Sequence, residues 1–166
     1  AEYLVKNVLK DKKGSAAVIT YSENEGCVNR EKGFTDWLSK NASGIKVADI
    51  QNYSGDQSKA ADVMQNMLQK HADLDAVFCV GDPAAMGALS SIKAANRQVK
   101  IIGFDGNPEG VAEIKKDKSL WLADVAQDPA KIGETALQAA VDTINGKEVQ
   151  PKIMISPYII DKSNAS

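Results

Sequence analysis

Five short apolar runs stand at nearly regular intervals along the first 126 residues, and their composition predicts buried strands. The runs are rich in Val, Ile and aromatic residues, which favour the pleated surface of a sheet. They are Ala16–Tyr21, Ile45–Gln51, Ala76–Val80, Val99–Phe104 and Leu120–Ala126. Between them, apolar residues recur at about every third or fourth position, which is typical of the buried face of a helix. This spacing predicts helices over Asn29–Lys40, Asp56–Lys70 and Pro83–Asn96.

The alternation of strands and helices predicts a fold class. Strands separated by helices form parallel βαβ units, and right-handed crossovers place helices on both faces of the sheet. We therefore expect an α/β protein with a doubly wound, parallel, five-stranded sheet. After Ala126 the pattern predicts one amphipathic helix over Gln127–Gly146 and a short strand over Lys152–Ser156, followed by Pro157 and Tyr158–Asp161. Because the five strands already have their helices, this extra helix and strand require a surface of their own.

Ligands of an open parallel sheet bind outside the carboxyl ends of its strands, so the residues immediately after each strand are candidates for a site. The segments in these positions carry carboxylates, amides and hydroxyls, with one aromatic residue and one Arg. They are Ser22–Arg30, Asn52–Asp56, Gly81-Asp82, Asp105–Asn107 and Gln127-Asp128. Carboxylates and amides bind hydroxyl groups, and an aromatic ring stacks on the apolar face of a sugar. This edge therefore suits a neutral polyhydroxylated ligand.

Each of these candidate residues also has a purely structural interpretation. Asp82, which precedes Pro83, is either a helix cap or a ligand residue, and Asp105 is either a turn residue or a ligand residue. Arg30, near the start of a helix, binds either a neighbouring carbonyl or carboxylate group or the ligand itself. Tyr53 either contacts the ligand or covers the end of the sheet. The residue types alone leave these alternatives open.

Composition and charge mainly exclude other classes of protein. A chain of 166 residues fits one domain of ordinary size, and 43% hydrophobic with 25% charged residues is typical of a soluble globular protein. A formal net charge of −2 argues against a general nucleic-acid binder. No apolar run approaches the ~18–20 residues that span a bilayer. The first fourteen residues are polar and amphipathic rather than a signal peptide, so we expect that a secreted parent carries its signal upstream or has lost it.

Catalysis and metal binding find little support in the sequence. His71 is the single histidine, and it lies between the second predicted helix and the third strand, at the opposite edge from the strand carboxyl ends. The motifs G-x-S-x-G, P-loop and G-x-G-x-x-G are absent. Cys27 and Cys79 lack zinc-type spacing and are interpreted as two buried thiols, or as a disulfide if their loops meet. We therefore expect no enzyme activity, no metal and no cofactor.

Five segments, in their order and spacing, resemble the ribose/galactose-type periplasmic sugar-binding proteins of ABC transporters, which are type I periplasmic binding proteins. The segments are Arg30–Phe34 (R-x-x-G-F), Val63–Phe78, Gly81–Leu89, Ile102–Gly110 and Ala123–Gly133. The resemblance covers nearly the whole chain but only the second half of such a protein. Family members are roughly twice as long and have two lobes around a sugar cleft.

The resemblance implies a domain organisation and a function. Residues 1–126 would form the C-terminal sugar-binding lobe, residues 127–149 a crossover helix that packs on the missing N-terminal lobe, and residues 150–166 a returning tail. Self-association through the helix 129–146 is the other way to cover that helix. The protein would be the substrate-binding component of an ABC-type sugar importer, periplasmic or extracellular. It would close on a monosaccharide or polyol by hinge motion and then bind a membrane permease.

The resemblance also implies roles for individual residues. Asp105 falls where the family binds sugar hydroxyls, and Gln127 falls at the sugar contact beside the hinge. Arg30 matches the family's Arg before Gly-Phe, and Asp82 matches the Asp of its D-x-x-A motif.

Three ligand positions lack the family's usual side chains. Val28 stands in place of an Arg, Gly55 in place of the stacking aromatic residue, and Gly81 in place of an Asn. Tyr53 is a possible substitute for that aromatic residue. These departures imply a polyol different from or bulkier than ribose, or one that is held mainly by the other lobe.

Other classes of protein remain open at this point. The same fold serves as the effector-binding domain of LacI-type transcriptional repressors, which is the alternative function. A repressor needs a helix-turn-helix upstream and a dimerising lobe surface, and the segment Ala126–Pro129 favours the transporter class instead. A ligand-presenting or chemotaxis protein is not distinguished from a transporter component by the sequence.

Overall fold

A computed structural model of the chain describes residues 1–10 and 13–165 and contains six strands and five α-helices, preceded by a π-type helical turn at Leu4–Val8. The strands are β1 (Gly14–Thr20), β2 (Ile45–Asn52), β3 (Ala76–Cys79), β4 (Lys100–Asp105), β5 (Trp121–Ala126) and β6 (Tyr158–Asp161). The helices are α1 (Glu25–Asn41), α2 (Gln57–Lys70), α3 (Asp82–Ala94), α4 (Pro108–Ile114) and α5 (Pro129–Ile144). The five strands predicted before residue 127 are present, and so is each predicted helix.

The six strands form one sheet in the order β2-β1-β3-β4-β5-β6. The first five pair in parallel and β6 pairs antiparallel with β5, so the predicted α/β fold class is confirmed. The strand order reverses between β1 and β3. In a doubly wound sheet this reversal opens a crevice at the carboxyl ends of the two strands, where ligands bind.

The predicted strand over Lys152–Ser156 is wrong, and the sixth strand is Tyr158–Asp161 instead. In this segment Ile153 and Met154 are exposed, Met154 at 75%, and Ile155 is only half-buried. Pro157 lacks the N–H group that a sheet ladder needs, so pairing begins only after it. From there the strand aligns Ile159 and Ile160 with residues of β5, and Ile159 packs against the core.

The core lies between the sheet and its helices. β1 and β3 contain long runs of fully buried residues, and Phe34 of α1 stacks on Phe78 of β3 with ring centroids 4.7 Å apart. Cys27 and Cys79 are both buried free thiols. In contrast, α5 has no buried residue. No helix of the described residues is long and apolar enough to cross a bilayer.

The close crossing of α2 and α3 depends on Gly87, and this dependence gives a stability prediction. A Cβ atom at Gly87 would lie 2.4 Å from the Gln57 carbonyl oxygen and 2.7 Å from the Ala60 Cβ. Gly87→Ala is therefore expected to lower the free energy of unfolding by about 1–3 kcal/mol in chemical denaturation. Gly33→Ala in α1 is the matched control, because nothing lies within 4 Å of its Cβ. The control should gain about 0.5–1 kcal/mol, and a loss of similar size in both variants would contradict the crossing.

Candidate functional site

The carboxyl edge of the sheet brings six of the eight sequence-predicted site residues together around one carboxylate, that of Asp105. The six residues are Arg30, Tyr53, Gly81, Asp82, Asp105 and Gln127. They arrive from α1, from the loop after β2, and from the ends of β3, β4 and β5, which lie side by side because these strands run parallel. We call this set the Asp105 cluster.

Both carboxylate oxygens of Asp105 accept hydrogen bonds. Its Oδ1 accepts from Arg30 Nη1 at 2.9 Å and from Gln127 Nε2 at 3.0 Å, and its Oδ2 accepts from the backbone N–H of Asp82 at 3.3 Å. A quarter of the Asp105 side chain remains exposed. The carboxylate is thus fixed in direction and still reachable from solvent.

The backbone at this point is held in a rarely used conformation. Asp105 has φ +126° and Gly106 has φ +81°. A Cβ atom at Gly106 would lie 2.7 Å from the Ala126 Cβ, so glycine is required by close packing as well as by its φ. Strained residues of this kind persist where the surroundings over-determine them, and they concentrate at functional sites.

Arg30 is oriented by three groups. Nη1 donates to the Val80 carbonyl oxygen at 2.8 Å and to Asp105, and the guanidinium lies over the Phe104 ring, 3.8 Å from the centroid. Both of these hydrogen bonds use Nη1, whereas a guanidinium carries five N–H donors. Arg30 therefore binds neighbouring protein groups, as one interpretation expected, and still has donors to offer a ligand.

Tyr53 and Gly55 lie on the β2 side of the cluster. Tyr53 is 4% exposed, and burial raises the pKa of its phenol to about 12, so the ring covers the end of the sheet as a neutral group. Tyr21 packs edge-on against Tyr53, and its ring lies 3.2 Å from where a Gly55 Cβ would stand. Val28 lies on α1 and is 37% exposed.

Asp82 lies behind Asp105 rather than in the open cleft. It is the first residue of α3, is 3% exposed, and accepts a hydrogen bond from the Asn107 N–H at 2.7 Å. Its side chain lies near that of Asp124, which is fully buried in β5. Burial, followed by the Asp124 charge, raises the pKa of Asp82 to about 8. Sequence reasoning missed Asp124, although a carboxylate inside an otherwise apolar strand run was a signal of a buried polar partner.

A cleft of about 170 Å³ opens beside the Asp105 cluster. It is lined by Arg30, Phe104, Gln127, Asp128, Ile132 and residues 155–157 of the C-terminal tail. The lining of this cleft therefore combines polar and apolar groups. Such a mixture matches a ligand with hydroxyl groups and an apolar ring face.

A larger cleft of about 620 Å³ lies at the opposite, amino edge of the sheet, but two of its charged groups, Arg97 and Asp75, already bind the protein's own backbone. Arg97 donates to the carbonyl oxygens of Leu68, His71 and Ala72. Asp75 accepts from the Ser15 N–H at 2.9 Å. We therefore place the candidate site at the carboxyl edge. Within residues 1–10 and 13–165, no cluster of His, Cys, Asp or Glu side chains is arranged to hold a metal ion.

Comparison with known proteins agrees with this geometry. The family model described as a periplasmic binding protein domain matches residues 1–148. The ribose import binding protein of Bacillus subtilis is 43% identical over 66% of this chain and 35% of its own length. That of Haemophilus influenzae is 34% identical over 80% of this chain and 45% of its own length.

A solved structure shows the same likeness. The Caulobacter myo-inositol binding protein bound to myo-inositol has a TM-score of 0.86 and 31% identity, covering 98% of this chain and 56% of that one. The chain thus spans less than half the length of the two ribose-binding relatives. Both ribose-binding relatives are named as import proteins, so the repressor alternative is not favoured. The chain belongs to the family of periplasmic binding protein domains.

Proposed function

We propose that this chain supplies one wall of a polyol-binding cleft, in the substrate-binding component of an ABC-type sugar importer. The observation that carries the proposal is the Asp105 carboxylate, which is anchored by Arg30 and Gln127 and remains partly exposed at the carboxyl edge. A carboxylate in this position accepts hydrogen bonds from adjacent hydroxyl groups of one ligand. The Arg30 guanidinium and the Gln127 amide donate to ligand oxygens.

The charge balance favours a neutral ligand. The Asp105 carboxylate and the Arg30 guanidinium form an ion pair at 2.9 Å, so the exposed part of the cluster carries no net charge. An acidic or cationic ligand would disturb that pair, whereas a monosaccharide or cyclitol uses both members through hydroxyl groups. The ribose-binding and myo-inositol-binding relatives support this ligand class.

The side chains that are absent at three positions support a ligand different from or bulkier than ribose, or one held mainly by a second lobe. Gly81 brings no hydrogen-bonding side chain to the cluster, although its backbone lies against Asp105, where a Cβ would stand 3.2 Å from Oδ2. Val28 brings no hydrogen-bonding group, and Gly55 brings no ring. With these side chains missing, a cyclitol or hexose is a better candidate ligand than a pentose.

A second lobe completes the cleft in this proposal. Residues 1–126 are its C-terminal lobe, residues 127–149 cross to the other lobe, and residues 150–166 return, with β6 pairing on β5. The face of α5 supports this arrangement, because Leu137, Val141 and Ile144 are exposed on it at 68%, 42% and 85%. Contiguous apolar patches of this kind mark interaction surfaces.

The mechanism follows from binding between two lobes. The sugar contacts both lobes only when they are closed, so its binding free energy shifts the open–closed equilibrium towards the closed form. The closed form then binds a permease at the membrane, which places the protein in the periplasm or outside the cell. One lobe alone offers only part of the contacts and is expected to bind weakly.

Calorimetric titration of the full-length protein that contains this chain tests the proposal. D-ribose, D-allose and myo-inositol serve as probes, with glucuronate as a charged comparison. Binding of at least one neutral polyol at micromolar concentration or tighter supports the proposed function. Absence of binding for every neutral polyol, or a preference for glucuronate, would contradict it.

Gln127 gives a graded prediction for the same titration. Gln127→Ala removes a hydrogen bond to the ionised Asp105 together with a donor to the ligand, so affinity is expected to fall about 10-fold to 100-fold. Gln65→Ala, at an exposed position of α2, is the matched control and should leave affinity unchanged. Equal affinities of the two variants for the ligand would show that Gln127 is not a ligand-binding residue.

A further inference from the structure

We propose that Asp82 and Asp124 form a buried acid pair which shares one proton and positions the ligand-binding residue Asp105, so that ligand affinity falls at alkaline pH. The effect on ligand affinity rests on the proposed function, whereas the shared proton of the acid pair does not depend on it. Asp82 and Asp124 are positioning residues here, because they act on the ligand only through the segment Asp105–Asn107.

The pair holds two consecutive peptide groups of that segment. Asp124 Oδ2 accepts from the Gly106 N–H at 2.9 Å, and Asp82 Oδ2 accepts from the Asn107 N–H at 2.7 Å. The backbone N–H of Asp82 also donates to Asp105 Oδ2. A displacement of either carboxyl group therefore moves the turn that carries Asp105.

The remaining oxygens of the pair need a proton. Oδ1 of Asp82 and Oδ1 of Asp124 are buried, and no donor of the described residues reaches either atom. The two carboxyl groups lie near each other, because they accept from the consecutive N–H groups of Gly106 and Asn107, and burial and the Asp124 charge raise the pKa of Asp82. A proton shared between the two carboxyl groups would give both Oδ1 atoms a partner, as in other paired carboxyl sites, where two adjacent acids cannot both ionise.

The surroundings exclude water from the pair. A Cβ atom at Gly103 would lie 2.6 Å from Asp124 Oδ1 and 2.8 Å from Trp121 Nε1. A Cβ at Gly110 would lie 3.3 Å from Asp82 Oδ2 and 2.9 Å from the Trp121 ring. The two glycines let β4 and α4 close over the acids, and Trp121 is fully buried beside them.

The charged and titratable groups that face the pair favour the protonated form. Asp105 adds a negative charge from the end of β4, although Arg30 is paired with it. The Cys79 thiol of β3 also faces both acids, and burial raises its pKa well above the usual value, so it stays neutral. Burial raises the pKa of Asp82 to about 8 and also raises the pKa of Asp124.

The sign of the pH effect follows from these contacts. Below about pH 8 the pair holds one proton and the turn is fixed. As the pH rises through that value, the proton is lost and two like charges are buried side by side. They repel, the acids separate or admit water, and the turn that carries Asp105 moves away from its ligand-binding position.

Two measurements on the full-length protein test the inference. The first uses the ligand-free protein and follows the ¹³C resonances of the Asp carboxyl carbons from about pH 5 to about pH 10. One resonance should titrate near pH 8 in the wild type and at lower pH in Asp124→Asn, which removes the Asp124 charge and leaves the burial. If every Asp carboxyl group of the wild type finishes titrating below about pH 6, the shared proton does not exist and the inference is overturned.

The second measurement compares affinity for the tightest of the three neutral probes at about pH 6.5 and about pH 9.5. The wild-type affinity should fall at least about tenfold between these pH values, because the turn is released. In Asp124→Asn the amide donates permanently, so the ratio of the two affinities should be below about twofold.

Asp82→Asn is the second variant, and it should show the same loss of pH dependence if Asp124→Asn does not fold. A wild-type affinity that is the same at both pH values would overturn the inference. So would a ratio of the two affinities that is as large in both variants as in the wild type. Neither result would contradict the proposed function. Failure of all neutral probes to bind would contradict the proposed function, and the carboxyl titration would still decide on the acid pair.

Discussion

Replacement of Asp105 by Ala is expected to reduce the affinity of the full-length protein for its polyol ligand by at least about 100-fold without unfolding it. The substitution removes the acceptor for ligand hydroxyl groups. It also leaves the Arg30 guanidinium and the Gln127 amide without the carboxylate that orients them. Calorimetry against the tightest neutral probe measures the effect, and circular dichroism checks that the fold is retained.

Two further variants make the Asp105 test specific. Asp105→Asn keeps the shape and tolerates a positive φ, so it separates the loss of charge from a disturbance of the turn. Its affinity should lie between those of the wild type and the Ala variant. Asp73→Ala, which removes an exposed carboxylate from the larger cleft at the amino edge, should leave affinity unchanged. An unchanged affinity in Asp105→Ala would exclude Asp105 as a ligand residue.

Leu137→Glu is expected to destabilise the full-length protein by about 2–3 kcal/mol, because the proposed second lobe buries this face of α5. Leu137 is 68% exposed in this chain, and a surface Leu would ordinarily tolerate such a change. The expected loss of stability therefore arises only if the second lobe covers Leu137. Chemical denaturation of the full-length variant measures it.

Thr143→Glu is the matched control for Leu137→Glu. It adds the same charge to the same helix at another exposed position, outside the apolar stripe of Leu137, Val141 and Ile144. It should change the free energy of unfolding by no more than about 0.5 kcal/mol. If both variants are equally stable, α5 is not buried against a second lobe and the proposed crossing of residues 127–149 fails.

Sequence reasoning succeeds where a local pattern of residues determines the secondary structure. The five parallel strands follow from β-branched runs alternating with helical spacing, because both periods are set by backbone geometry. Asp105, Gln127 and Arg30 were identified from their positions after strands or near a helix start. Parallel strands bring such positions to one edge whatever the details of packing.

Sequence reasoning fails where contacts between distant segments of the chain determine the structure. The segment Lys152–Ser156 has strand-like residues, but only Tyr158–Asp161 reaches the free edge of β5. Asp124 lies inside a buried strand run, and no local pattern identifies its partner, because Asp82 lies 42 positions away in the sequence. Asp82 had two open interpretations, and the structure adds a third, in which it holds the turn behind Asp105.

Hydrogen exchange of the full-length protein with and without saturating polyol tests most directly whether the ligand lies at the carboxyl edge of this lobe. We expect slower exchange on ligand binding in segments 103–107 and 126–129, with no change in segments 72–75 and 97–98. Those last two segments line the larger cleft at the amino edge. Slower exchange at the amino edge, with none around Asp105 and Gln127, would contradict a ligand site at the carboxyl edge.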